Sequence, residues 1–94
     1  MQKREEARQR QRLADARRPL LAKQAAVERE MARCTTERNE LDAWLATADA
    51  YAEAARDELK DRIARQGELT WQLARLESEW LEISEQLDQV TAQS

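Results

Sequence analysis

The stretch Leu69–Val90, LTWQLARLESEWLEISEQLDQV, decides how this chain folds. In alternating steps of four and three it selects Leu69, Leu73, Leu76, Trp80, Ile83, Leu87 and Val90, all large and apolar. An α-helix brings such positions onto one stripe, and a stripe sustained over three heptads marks a coiled-coil seam. Followed toward the N-terminus, the same phase gives Gln66, Arg62 and Leu59. The first half carries a second seam: Leu13, Arg17, Leu20, Gln24, Val27, Met31, Cys34, Arg38, Leu41 and Leu45. It is weaker, because Arg17, Gln24 and Arg38 interrupt it. Two long helices follow from these patterns.

Between the seams the phase fails over residues 46–55. Asp49 can cap a helix there by accepting a backbone N–H, and no Gly or Pro marks the turn. One uninterrupted helix would satisfy local propensity equally well. A fold-back is favoured by charge. Residues 1–38 hold eleven Lys/Arg against six Asp/Glu, a net of +5, whereas residues 39–94 hold five against thirteen, a net of −8. Two such halves attract each other when the chain doubles back. Positions whose numbers sum to about 103 also match: Leu45 with Leu59, Met31 with Leu73, Leu20 with Ile83. A short connection favours antiparallel neighbours.

The expected fold is therefore all-α, a two-helix antiparallel coiled-coil hairpin. It has a basic lead-in over 1–18 that is partly helical, a first helix over 19–46, a turn over 47–55 and a second helix over 56–92. Pro19 can start the main helix or kink a longer one, and the unbroken seam phase at Leu13 favours the kink. In this register the residues before about 10 have no partner, so fraying is expected there. Met31, Leu69, Leu73, Leu76, Trp80 and Ile83 are the expected core.

Composition agrees and restricts function. Charged residues make up 37% of the 94 and hydrophobic ones 41%, with Gly and Pro once each. That mixture belongs to long helices, and the regular apolar spacing argues against disorder. No apolar run approaches the roughly 20 residues that cross a bilayer, and no signal-peptide stretch opens the chain. The lone Cys34 has no internal partner, which suits a reducing compartment and makes the cytoplasm the expected location. Histidine is absent, which removes the commonest general base and neutral metal ligand. Cys34, on the seam and without an imidazole, reads as a small buried hydrophobe. Gly67 stands alone, so no phosphate loop is present; it marks a close approach of the other helix, or nothing. Glu79, Glu82 and Glu85 flank inward Trp80 and Ile83 and read as a solvated face, not a metal set. The chain is expected to have no catalytic residues, no metal site and no cofactor of its own.

Two features carry functional content. Lys3, Arg4, Arg8, Arg10, Arg12, Arg17 and Arg18 form a basic arm able to neutralise phosphates, and the same charges equally serve a solvated helix end. Trp44 and Trp71 fall beside or off the seam, where a tryptophan either makes an interaction site or laps over the core edge.

The segment Leu73–Gln89, with Glu79-Trp80-Leu81-Glu82 at its centre, resembles the C-terminal coiled-coil domain of bacterial ABC-F ATPases of the Uup and YheS types. The basic lead-in QKREEARQR (2–10), the Arg18-Pro19-Leu20 step and the acidic Asp49-Ala50-Tyr51 loop follow in matching order. The loop lacks the proline that many members carry. The resemblance implies a C-terminal piece of a longer cytoplasmic polypeptide with two ATP- and Mg-binding cassettes upstream, acting on the ribosome and translation. It implies a nucleic-acid partner, DNA or ribosomal RNA, contacted through the basic first helix. The alternative is a protein–protein or dimerisation module that binds no nucleic acid. A monomer without membrane contact is expected.

Overall fold

The structure, a computed structural model, describes residues 2–92. Met1, the first position of the expected lead-in, lies outside the described residues, as do Gln93 and Ser94. Two long helices dominate: α1 over Gln2–Leu45 and α2 over Arg56–Ala92. Two 3₁₀ turns, Ala48–Tyr51 and Glu53–Ala55, connect them, and the described residues contain no strand. The expected turn over 47–55 thus falls between the observed helix ends.

The seam positions are the covered ones. All twenty positions that the heptad phase selects are buried or half-buried. Val27, Cys34, Leu41, Leu69, Leu73, Leu76, Ile83 and Leu87 make the buried set, joined by Ala50 from the turn. Met31 and Trp80, expected to be largely buried, are only half-buried. A seam between two helices has open edges, so its longest side chains keep one flank in water.

The chain divides into two compact units, each built from part of both helices. One comprises residues 29–77, with the turn at its centre. Within it, Cys34 Sγ lies 3.8 Å from Gln72 Oε1, and Arg65 reaches Glu37 from the other helix. Gln66 Nε2 donates to Asp42 Oδ1 at 2.5 Å, and the Arg62 guanidinium lies 4.2 Å from the centre of the Trp44 ring. The other unit comprises residues 1–28 and 78–94. There Gln24 Nε2 donates to Ser84 Oγ at 3.1 Å and Trp80 Nε1 to Glu28 Oε1 at 3.0 Å. Gln24–Ser84, Glu28–Trp80 and Asp42–Gln66 sum to 108, Cys34–Gln72 and Trp44–Arg62 to 106, and Glu37–Arg65 to 102, a spread of about two turns that includes the expected 103. Periodicity fixes which face turns inward; it leaves the offset along the seam to side-chain packing.

Two local expectations are corrected. The lead-in is helix from Gln2 onward where fraying was expected, because Ala, Arg, Gln and Glu all hold a helix at little entropic cost. Pro19 sits inside α1, in keeping with the favoured reading of a longer helix that continues through it, although it cannot donate to the carbonyl of Asp15. Asp49 is not a helix cap: it lies within the first 3₁₀ turn, whose N-cap is Thr47. The Thr47 hydroxyl instead donates backward to the Trp44 carbonyl at 2.6 Å, closing the end of α1.

Gly67 meets no heavy atom within 4 Å of where a Cβ would stand, so the reading of a close helix approach falls.

Candidate nucleic-acid interface

The basic lead-in forms the first turns of α1, and its residues 2–12 are all exposed. Helical spacing sorts the seven cations. Arg4, Arg8 and Arg12 recur every four residues and share one stripe, whereas Lys3, Arg10 and Arg17 recur every seven and share a second. Arg18 stands apart, with its guanidinium 3.3 Å from the Asp15 carboxylate. Arg17 is half-buried at its seam position, and its Nε has no hydrogen-bond partner among the described residues.

None of Lys3, Arg4, Arg8, Arg10 and Arg12 lies within ion-pair distance of a carboxylate among the described residues. Glu6 and Arg10 have the right i, i+4 spacing and still form no pair. Like charges four apart cost a helix roughly 0.2–0.5 kcal/mol per pair, so the Arg4–Arg8–Arg12 ladder opposes its own helix. An anion laid along the ladder relieves this repulsion. Lys23 extends this face. It lies eleven residues, or three turns, beyond Arg12, is exposed and has no ion pair among the described residues. Counting in elevens from Arg12 would have found it, but the basic run itself ends at Arg18.

The cations of the other unit have a different environment. Arg65 is held in a fork by Glu37, Nε to Oε2 at 2.6 Å and Nη2 to Oε1 at 3.2 Å, and its Nη1 donates to Glu68 at 3.1 Å. The Glu37 hydrogen bond, with smaller help from Glu68, raises the Arg65 pKa further above its usual range. The same fork holds the Glu37 carboxyl below its usual 4.5. Sequence spacing pairs Arg65 with Asp61; the structure gives it Glu37 and Glu68 instead. Arg62 bonds Glu58 at 2.7 Å, as spacing predicts. Arg56 and Lys60 are exposed and make no ion pair among the described residues.

Of the tryptophans, Trp44 is half-buried under Arg62, Trp80 is half-buried and bonded to Glu28, and Trp71 is 67% exposed. Glu79, Glu82 and Glu85 are exposed, and no group of His, Cys, Asp and Glu among the described residues could hold a metal ion. No helix among the described residues is long and apolar enough to cross a membrane.

No protein-family model matches this sequence, and comparison with curated proteins and with solved structures finds no match.

Proposed function

We propose that the chain is an antiparallel two-helix coiled-coil hairpin that serves as a non-catalytic, nucleic-acid-contacting appendage. The ladder of exposed, unpaired cations Lys3, Arg4, Arg8, Arg10 and Arg12 carries this reading. The reading extends, through the Trp-Leu-Glu segment and the basic lead-in, to the C-terminal domain of a cytoplasmic ABC-F ATPase working on the ribosome and translation. In it the ATP and Mg sites belong to upstream cassettes, the target is DNA or ribosomal RNA, and the appendage is monomeric.

The test is a titration with duplex DNA and with structured RNA at two salt concentrations. Binding through phosphates weakens steeply as salt rises, because each neutralised phosphate releases condensed counterions. Replacing the five lead-in cations by Gln should flatten that dependence by roughly one unit of slope for each phosphate that is no longer neutralised, while leaving helicity intact. The matched variant at Arg56, Lys60, Arg62 and Arg65 should retain most of the slope. A lead-in variant that binds as tightly as the parent would sink the proposal.

One observation favours a second reading, a protein–protein module. Ile63 and Trp71 are exposed apolar side chains on α2, 51% and 67% accessible. Absence of nucleic-acid binding at low salt selects that reading.

A further inference from the structure

Trp71 lies on α2 with Gly67 one turn before it and Arg75 one turn after. Helical side chains lean toward the helix N-terminus, so the indole leans over the Gly67 turn and the Arg75 side chain leans over the indole. The Arg75 guanidinium carbon stands 5.6 Å from the ring centre. Gly67 offers no side chain, and nothing lies within 4 Å of where its Cβ would be. The result is an open cleft of about 550 Å³ lined by Arg65, Gly67, Glu68, Trp71, Gln72 and Arg75. The charges within it are unequal in availability. Glu68 is engaged by Arg65, which Glu37 also holds, whereas Arg75 has no carboxylate partner among the described residues.

From this we infer that the cleft is a stacking site for an unpaired nucleobase, with the phosphate of the same strand on Arg75. A flat aromatic ring, open space beside it and a guanidinium with no carboxylate partner among the described residues supply the stacking and the positive charge that single-stranded nucleic-acid sites combine. Glycine matters here: any side chain at 67 would enter the space that the base needs. Arg75 supplies the charge complementarity that distinguishes a nucleotide from an apolar peptide side chain. The site uses residues separate from the lead-in ladder, which handles phosphates alone. It rests on the proposed nucleic-acid partner and adds that an unpaired segment of that partner is gripped by its base.

The experiment compares two fluorescently labelled strands of equal length and charge, oligothymidylate and its abasic counterpart, by anisotropy on the full chain. Stacking of one base on an aromatic ring should favour the base-containing strand by roughly 5- to 150-fold. Trp71→Ala should erase that preference, and Trp71→Phe, which keeps an aromatic face, should retain most of it. Arg75→Gln should weaken both strands alike. Neutralising the five lead-in cations should lower affinity for both strands and leave their ratio unchanged, so failure of the ladder and failure of the cleft give different results. Equal binding of the two strands by the parent, no binding of either, or a preference that survives Trp71→Ala overturns the inference.

Discussion

In residues 29–77, Arg62 and Arg65 of α2 reach groups on α1: Arg65 is forked on Glu37, and Arg62 covers Trp44. In residues 2–12 of α1, five cations end in solvent with no carboxylate within reach among the described residues. The chemistry of the side chains is the same in both places. What differs is whether a partner helix supplies an acceptor. A cation that folding already uses must give up a carboxylate before it can take a phosphate, so availability and not abundance of charge marks a binding surface. Arg and Lys counts alone would have ranked the two regions by composition and missed this.

The comparison breaks most readily at the core. Leu69 is fully buried in the first of these regions, whereas Leu20 in the other compact unit is only half-buried. Leu69→Ala should destabilise the chain by about 2–3 kcal/mol, the low end for large-to-small core changes, because a two-helix seam relaxes readily. Leu20→Ala should cost about 1 kcal/mol, in keeping with partial burial. Urea unfolding of the two variants measures both. Equal losses would mean that the packing contrast is wrong.

Gly67→Ala should work in the opposite direction. The site is helical, its φ is not positive, and there is room for the methyl group. Alanine should therefore raise stability by about 0.5–1 kcal/mol, read as a higher urea midpoint at unchanged slope. A loss would reveal a neighbour that the open cleft does not contain.

A smaller effect sharpens the charge contrast. Arg65→Gln should lower the melting temperature, because it removes a partner from Glu37, and Arg8→Gln should raise it slightly, because it relieves the repulsion of Arg4 and Arg12. Calorimetry of the two variants side by side decides it, and equal shifts would remove the distinction.

The smallest effect is that of pH. The Arg65 hydrogen bond and charge hold the Glu37 carboxyl below its usual 4.5. A carboxyl with a depressed folded-state pKa contributes its stability above the unfolded value and loses it as pH falls through the folded one. The melting-temperature gap between parent and Glu37→Gln should be present at neutral pH and close below 4.5. Because the pair is partly exposed, added salt should also narrow the gap. A gap that persists in acid would show that Glu37 acts through packing.

Much of this fold is legible in the sequence, for a specific reason. A heptad phase depends only on helical geometry, so it assigned the inward face from Leu13 to Leu45 and from Leu59 to Val90 without knowledge of the partner. Loss of that phase after Leu45 located the turn even without Gly or Pro. The offset of the seam was legible only to within about two turns, because it depends on how Gln24, Glu28, Asp42 and Gln66 meet their polar partners across it. Nor was the depth of Met31 and Trp80, since periodicity gives direction and not coverage. In the candidate interface the basic run was evident, while its division into two stripes needed the lead-in to be helical. The openness beside Trp71 follows from a glycine whose purpose the sequence alone leaves undecided.

Cys34 is fully buried, with its sulfur against Gln72, so a thiol reagent in solution cannot touch it while α1 and α2 are together there. The only cysteine of the chain is thus an internal clock. Its labelling by a fast reagent proceeds no quicker than the helices part, and at lower reagent concentration the rate reads the fraction of time they spend apart. Opening and closing can therefore be timed on the unaltered protein, without adding a probe.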